Sequence, residues 1–277
     1  MPELPEVEFC ARRLRAWLVG QRIERVVAQP GKPLRDIDPA TLAQQLTGRV
    51  PTAVRRRGKQ LLLDLDDGQV FLVHLGMTGK FLPDEPTPRP GTRVQLHLDG
   101  GTRLDYVDMR RFGRLRVLPP GASHPELDRL GPDALELARD PVAFAAAVGR
   151  TGREIKVALM DQSLLAGVGN IYAAEALHEA RIDPRAPASK LRAPELHALS
   201  VALVAAFEAS LEREKGKEII YLPEPEAENP FRVYGREGEP CPECGEAIER
   251  FDQAGRSTFW VPAWQNRPSH LNARRRK

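Results

Sequence analysis

The sequence predicts an α+β protein built from a β-sandwich domain with flanking helices and a helical domain that ends in a small β-hairpin module. Up to about residue 132, short runs of alternating apolar residues are separated by glycine-containing turns, which is typical of antiparallel sheets. From residue 140 onward the apolar spacing becomes helical, and the last segment combines strand-like runs with a Cys-x-x-Cys pair. We therefore expect residues 1–132, 133–230 and 231–277 to form the sandwich, the helical domain and the hairpin module.

The first segment is predicted to begin with a helix and to continue mainly as strands. Apolar residues recur on one helical face of residues 6–18, and Gly20 ends the pattern. Asp38 is suited to cap a short helix that ends at Gly48. The strand-like runs are residues 22–28, 50–54, 60–65, 70–75, 93–98, 103–107 and 114–118, with hairpin turns at Asp67-Gly68 and Asp99-Gly100-Gly101. Residues 119–138 are rich in proline, glycine and acids, which predicts a linker.

The second half is predicted to be mostly helical. The helices expected there are residues 141–148, 153–160, 170–179 and 194–214. Residues 215–236 lose all periodicity and carry several prolines, so we expect a loop. A terminal hairpin is expected within residues 232–250 and 258–261, followed by the basic tail 274–277.

Composition restricts the class of protein. The chain has 277 residues, of which 42% are hydrophobic and 29% charged, enough for one large or two medium domains. Three cysteines are too few for a disulfide framework. No signal peptide opens the chain, and no apolar run approaches the roughly 20 residues of a membrane helix. These features predict a soluble cytoplasmic protein with no membrane partner.

Positive charge is clustered, although the net charge is only +3. The clusters are residues 55–59, residues 110–116, where Phe112 lies among arginines, and the tail 274–277. A single cluster is most simply a solvated face. Three clusters, one of them with an aromatic side chain, favour a nucleic-acid backbone as the partner.

Two local patterns suggest chemistry. At the N-terminus, removal of Met1 would leave Pro2 with a free amine beside Glu3 and near Glu6. An α-amino group has a pKa of about 7.7–8.0, so part of it is nucleophilic near neutral pH. The carboxylates could transfer protons, although the same residues also suit an ordinary helix start.

The second pattern is the stretch from Met160 to Ala173, where a helix ends, two glycines follow, and Asn170 is placed to cap the next helix. Free amides at that helix start could bind a phosphate, with Lys156 adding charge. An ordinary bend between two helices is the alternative.

Read together, these stretches resemble one family. The chain carries Pro2-Glu3-Leu4-Pro5-Glu6, Arg57-Gly58-Lys59, His74-Leu75-Gly76-Met77-Thr78-Gly79, Asp108-Met109-Arg110-Arg111-Phe112-Gly113, Asp161 to Tyr172, Tyr234-Gly235-Arg236-Glu237-Gly238, Cys241-Pro242-Glu243-Cys244-Gly245 and Gly255-Arg256-Ser257-Thr258 in this order. It closely resembles bacterial formamidopyrimidine-DNA glycosylases along essentially its whole length. Endonuclease VIII forms the sister branch, and the opening Pro-Glu-Leu-Pro-Glu favours the formamidopyrimidine branch.

The resemblance implies a bifunctional DNA glycosylase and abasic-site lyase that excises oxidised purines such as 8-oxoguanine and formamidopyrimidines. Pro2 would attack C1′ of the damaged nucleotide, Glu3 would act as acid and base, and Glu6 would support the site. The resemblance assigns Lys59 to the lesion's phosphate. It assigns Met77, Arg110 and Phe112 to the gap left by the extruded base. Lys156 and Asn170 of a helix–two-turn–helix domain, and Arg256 of the terminal finger, would hold further phosphates. The implied partner is double-stranded DNA with oxidised bases or abasic sites, bound by a monomer.

Two departures from the family pattern leave questions open. The family's finger has a second Cys-x-x-Cys, but here Val261 and Trp264 stand at those positions, so Cys241 and Cys244 supply only half of a zinc site. We therefore predict a finger that needs no zinc; the competing idea is capture of a metal by these cysteines and a tail residue such as His270.

The other departure is the acid- and proline-rich segment 217–232, which leaves the lesion preference open. Excision of oxidised pyrimidines, and an inactive binder of damaged DNA, remain as alternatives.

Overall fold

The computed structural model describes residues 2–214 and 228–265. The chain divides into two compact units, with residues up to Asp128 in the first, and Arg129–Arg213 together with residues 228–265 in the second. The terminal hairpin thus shares a unit with the helices. The three-part division expected from the sequence stays a prediction.

The first unit contains three helices and eight strands among its described residues. The helices are α1 (Leu4–Leu18), α2 (Pro39–Leu46) and α3 (Pro125–Asp128), with a 3₁₀ turn at Lys32–Leu34. The strands are β1 (Ile23–Ala28), β2 (Pro51–Arg57), β3 (Gln60–Leu65), β4 (Val70–His74), β5 (Lys80–Pro83), β6 (Thr92–Leu98), β7 (Arg103–Val107) and β8 (Arg114–Leu118).

These strands form two antiparallel four-stranded sheets. One sheet has the order β1-β6-β7-β5 and the other the order β2-β3-β4-β8. Alternating apolar side chains of both sheets and one face of α1 enclose a single core; among them are Val7, Leu14, Leu63, Val73 and Leu96. The predicted β-sandwich with flanking helices is confirmed.

The second unit is helical and ends in a hairpin. Its helices are α4 (Ala134–Ala138), α5 (Pro141–Val148), α6 (Ile155–Met160), α7 (Asn170–Glu179) and α8 (Ala193–Arg213), and its strands are β9 (Glu249–Gln253) and β10 (Arg256–Trp260). Tyr172 of α7 packs against Phe207 of α8 with ring centroids 5.2 Å apart, and its hydroxyl donates to Ser210 at 2.6 Å. Helix α8 is long and apolar enough to cross a membrane by length and composition, but the core side chains Leu199, Leu203 and Phe207 are completely buried in this unit.

Several element predictions were wrong in detail. Strand β5 was missed, because four residues that end in proline give no alternating pattern. The predicted linker 119–138 contains α3 and α4, and Asp133 caps α4 through the amide of Leu135. The terminal strands are 249–253 and 256–260: the first begins at the end of the expected segment 232–250, and the second begins two residues before the expected 258–261. The N-cap of α7 is Gly169 and not Asn170, whose side chain has other partners described below.

Candidate functional site

The residues proposed for covalent chemistry lie at the N-terminal end of α1. Pro2 is buried, Glu3 is 0% exposed and Glu6 is 8% exposed. The backbone N–H of Glu3, the residue that precedes the helix, donates to Oε2 of Glu6 at 2.8 Å. This hydrogen bond restrains the backbone conformation of the residues that lead into α1, Pro2 and Glu3. The positive end of the helix dipole also favours carboxylates at this turn.

Lys59 follows β2 and is half-buried at the turn into β3. Its charge acts on His74, because Gln60 of β3 pairs with His74 of β4. Burial, and next the positive charge of Lys59, lower the pKa of His74 to about 4. Nδ1 of His74 accepts the N–H of Gly76 at 3.0 Å, as a neutral ring can. Lys59 therefore places a positive charge beside an imidazole that is neutral at physiological pH.

The three predicted gap-filling side chains lie on two turns of the first unit. Met77 is half-buried between β4 and β5, and Arg110 and Phe112 lie between β7 and β8. The Phe112 ring is 44% exposed. The guanidinium of Arg110 lies 5.3 Å from its centroid. An exposed aromatic ring with a stacked cation is a surface that a nucleobase stack can accept.

Asp108 and Thr78 join these two turns. Asp108 is 0% exposed, and its carboxylate accepts from Thr78 Oγ1 at 2.8 Å, Arg111 N at 3.1 Å and Gly113 N at 2.8 Å. Thr78 Oγ1 in turn accepts the N–H of Arg110 at 3.1 Å. The turn that carries Met77 and the turn that carries Phe112 are thus held as one body, which we call the paired turns (residues 75–79 and 108–113).

Backbone contact reinforces the pairing. A side chain on Gly76, whose φ is +68°, would meet the backbone of Phe112 at 2.4 Å, so only glycine fits there. Arg111 has φ 57°, a conformation that costs an ordinary residue about 1–3 kcal/mol. Its hydrogen bond to Asp108 helps to hold it. Strain of this kind, maintained by surrounding contacts, is common at functional sites.

In the second unit, Lys156 lies at the centre of a buried polar network. It is 1% exposed, and its Nζ donates to Asn170 Oδ1 at 2.6 Å, Ser257 O at 3.1 Å and Thr258 Oγ1 at 2.7 Å. Asn170 Nδ2 also donates to Ser257 O at 2.9 Å. Lys156 therefore joins the start of α7 to β10, with its ammonium turned inward.

The hairpin turn exposes Arg256. Ala254 and Gly255, with φ of 48° and 72°, connect β9 to β10. These signs match a type I′ turn, in which both central residues have positive φ. Arg256 pairs with Gln253 across the turn and is exposed. Each unit thus presents cations or amides that could bind phosphate groups.

Two family models match the chain. The formamidopyrimidine-DNA glycosylase N-terminal domain matches residues 1–115, and the H2TH domain of the same enzyme matches residues 130–220. The chain belongs to the formamidopyrimidine-DNA glycosylase family. The matches cover both units, which confirms the resemblance read from the sequence.

Individual formamidopyrimidine-DNA glycosylases agree with this assignment. The enzyme of Paracoccus denitrificans is 41% identical over 287 residues, covering 96% of this chain and all of that protein. The crystal structure of the MutM (Fpg) protein of Thermus thermophilus has a TM-score of 0.79 and 39% identity, covering 96% of this chain and 99% of that one. The Lactococcus lactis Fpg bound to DNA containing Fapy-dG has a TM-score of 0.82 at 27% identity, covering 96% of this chain and 100% of that one.

The described residues do not fit the four-cysteine zinc site of formamidopyrimidine-DNA glycosylases. Val261 is 0% exposed in a small core with Val233, Cys241 and Ile248, and Trp264 packs against it. Apolar side chains thus occupy the positions of the second cysteine pair. Cys244 is exposed, and His270 lies outside the described residues.

Sequence reasoning missed several residues that organise the site. Asp108 was quoted only as part of a motif, although a single acid at the start of an arginine-rich loop is a common turn-forming signal. His178 received no attention, because its partner Cys241 lies 63 residues away in sequence. The basic tail and residues 217–227 of the proline-rich segment lie outside the described residues.

Proposed function

We propose that this chain excises oxidised purines from double-stranded DNA and then cleaves the abasic site by β,δ-elimination. The observation that carries the proposal is the complete burial of Glu3 beside buried Pro2 in a chain of this family. A carboxyl group is rarely fully buried unless it is hydrogen-bonded, and the Glu3 side chain is paired with the backbone of Glu6 in a capping box, which holds it beside Pro2.

The proposed reaction uses Pro2 as nucleophile. After Met1 is removed, the lone pair of the proline nitrogen forms a bond to C1′ of the nucleotide. The glycosidic bond breaks, and its electron pair leaves with the base, which takes up a proton. The proline nitrogen then loses its proton, and its lone pair opens the sugar ring by breaking the C1′–O4′ bond while O4′ takes up a proton, which leaves an iminium. This iminium acidifies the C2′ proton, whose removal expels the 3′ phosphate. A second elimination expels the 5′ phosphate, and water then releases the amine.

Glu3 is proposed to exchange protons with the sugar during these steps. Glu6 acts as a positioning residue, because its carboxylate holds the Glu3 backbone N–H. The reaction itself draws on amine and carboxylate chemistry and needs no cofactor.

The paired turns are proposed to stabilise the extruded state. A nucleotide must leave the stack to reach Pro2, and unstacking costs a few kcal/mol. Insertion of Met77, Arg110 and Phe112 into the vacated space would offset part of that cost. Because Asp108 and Thr78 join the two turns, the three side chains would enter the stack with their relative positions already fixed.

Phosphate contacts are proposed for Lys59, Asn170 and Arg256. The inward ammonium of Lys156 supports a role other than the direct phosphate contact expected from the family pattern. We infer that Lys156 positions the Asn170 amide, and that its buried charge raises the positive potential at the start of α7.

The remaining assignments follow from this activity. We propose that the enzyme acts as a monomer on duplex DNA. Its place of action would be the bacterial cytoplasm, which contains the DNA. We also propose that residues 1–132 contain the chemistry and that residues 133–230 and 231–277 hold the DNA.

Borohydride trapping on damaged duplexes tests the nucleophile. The protein should form a covalent adduct with a duplex that contains 8-oxoguanine or an abasic site, and mass spectrometry should map the adduct to Pro2. A variant with one extra residue before Pro2 should give no adduct, whereas Glu3→Gln should still bind DNA but excise far more slowly. An adduct that survives the extension places the nucleophile elsewhere. A chain that never traps is a binder without activity.

A further inference from the structure

Three side chains that could bind a metal converge where the finger meets α7. His178 lies on α7 and is 0% exposed, Cys241 is 2% exposed, and Glu243 is half-buried. Their ligand atoms are close together: His178 Nε2 is 3.4 Å from both Cys241 Sγ and Glu243 Oε2, and Cys241 Sγ is 3.3 Å from Glu243 Oε2. The three atoms form a nearly equilateral triangle.

This triangle has the size of one face of a zinc tetrahedron. Zinc bonds of about 2.3 Å to sulfur and about 2.0–2.2 Å to nitrogen or oxygen place neighbouring ligand atoms about 3.3–3.6 Å apart. A metal ion above the triangle would therefore reach all three atoms with small movements of their side chains. A thiolate, an imidazole and a carboxylate together also suit Zn²⁺ in charge, since two negative ligands neutralise a divalent ion.

The surroundings hold two of the ligands in place. Trp264 Nε1 donates to the backbone carbonyl of His178 at 3.1 Å. Trp264, which stands where the family pattern has a cysteine, therefore helps to fix the part of α7 that carries His178. Arg232 NH1 contacts Oε1 of Glu243 at 2.8 Å, which leaves Oε2 directed at His178 and Cys241. Support of ligands by neighbouring groups is a regular property of metal sites.

We propose that His178, Cys241 and Glu243 form a zinc site that differs in composition from the four-cysteine site of the family. Its histidine comes from α7, so the metal would attach the finger to the helical part of the unit and not merely close the finger on itself. The fourth position would be taken by water or by the exposed Cys244, whose side chain also contacts Cys241. Cys244 is not required in this arrangement. The proposal replaces the zinc-free finger predicted from the sequence and is independent of the glycosylase chemistry.

Titration of the full-length, untagged, metal-free protein with Zn²⁺ and Co²⁺ tests the site. We expect one equivalent to bind, a cobalt spectrum with thiolate charge transfer, and a rise in the unfolding temperature with zinc. His178→Gln and Glu243→Gln should each weaken zinc binding more than about 100-fold, since loss of even an outer partner costs about 10- to 100-fold. Cys241→Ser should abolish the thiolate band.

Two matched controls make the test specific. Glu246→Gln removes an exposed carboxylate of the same turn and should leave zinc affinity unchanged. Cys244→Ser should weaken binding less than His178→Gln does. Circular dichroism of the metal-free variants shows whether each one folds. The proposal is overturned if no metal binds, or if Cys244→Ser abolishes binding while His178→Gln and Glu243→Gln retain it. The latter result would indicate a site made by the two cysteines alone.

Discussion

Replacement of Thr78 by valine should separate the paired turns without changing their shape. Valine has nearly the volume of threonine, but it can neither donate a hydrogen bond to Asp108 nor accept one from the N–H of Arg110. Thr78 is 6% exposed, so water cannot easily take over the lost bond to Asp108. A hydrogen bond to a charged group contributes about 1.5–3 kcal/mol and a neutral one about 0.5–1.5 kcal/mol. We therefore expect Thr78→Val to lower the free energy of unfolding by about 2–4 kcal/mol.

The effect on catalysis should depend on the substrate. An 8-oxoguanine nucleotide must be extruded from the stack, whereas an abasic site has no base to extrude. If loosened turns forfeit about 1–2 kcal/mol of insertion energy, excision of 8-oxoguanine should slow about 5- to 30-fold. Cleavage of an abasic site should change much less. Single-turnover assays on the two duplexes, with urea unfolding in parallel, give both quantities.

Two control variants distinguish this mechanism from general destabilisation. Thr78→Ser keeps the hydroxyl and should retain most activity. Thr52→Val makes the same change at an exposed strand position, where Oγ1 donates to Asp64 O at 3.2 Å, and should alter stability by less than about 0.5 kcal/mol. The reasoning is refuted if Thr78→Val slows both reactions equally, or if Thr78→Ser behaves like Thr78→Val.

Further predictions concern the DNA contacts and pH. Phe112→Ala and Met77→Ala should slow excision of intact lesions more than abasic cleavage, measured on matched duplexes; equal effects would contradict their role in the stack. Lys59→Ala and Asn170→Ala should weaken binding to all duplexes, and Lys59→Ala should reduce the salt dependence by about one phosphate contact, measured by titration at several salt concentrations. His74 has a folded pKa of about 4, below its unfolded value of 6.5, so the unfolded state binds more protons and stability should fall as pH drops from about 6.5 to 4. His74→Gln should flatten that part of the stability profile, and an unchanged profile would show that His74 is not its source.

The sequence predicted the sandwich well because its strands carry their own signals. Residues 60–65, 103–107 and 114–118 were predicted with the bounds that the structure has. Their alternating apolar residues and the glycine turns between them depend only on neighbours in the chain. The same dependence on local signals explains why α3 and α4 were not predicted. These helices are too short for a helical period to be visible in the sequence.

The terminal hairpin was misplaced because its turn is atypical. Type I′ turns favour Asn-Gly or Asp-Gly. Here Ala254 adopts the positive φ that an asparagine would accept more easily. Strands β9 and β10 are therefore defined by packing of the finger core and not by a turn signal in the sequence.

Some residues of the candidate site could also be predicted from the sequence, and others could not. Pro2, Glu3 and the exposed Phe112 could be proposed from the family pattern, because each is a recognisable residue at a recognisable position. The function of Lys156 could not, because its three acceptors include Ser257 and Thr258, about a hundred residues later in the chain. Contacts at such separation follow from the tertiary fold and leave no local trace.

The hydroxyl of Tyr106 has a consequence for how this protein can evolve. It is completely buried, and among the described residues it has no hydrogen-bond partner. A Cβ at Gly79 or Gly113 would lie 2.5 Å or 1.9 Å from its oxygen. The phenol thus fits against two glycines of the paired turns, one in each turn. A mutation of Gly113 to alanine is blocked while the tyrosine remains and becomes less unfavourable only after the oxygen has been lost, whereas at Gly79 the backbone oxygen of Leu75, 2.3 Å from the added Cβ, blocks alanine in either case. The order in which such mutations occur therefore decides which of them are tolerated. The sequence of the paired turns thus depends on whether Tyr106 is present.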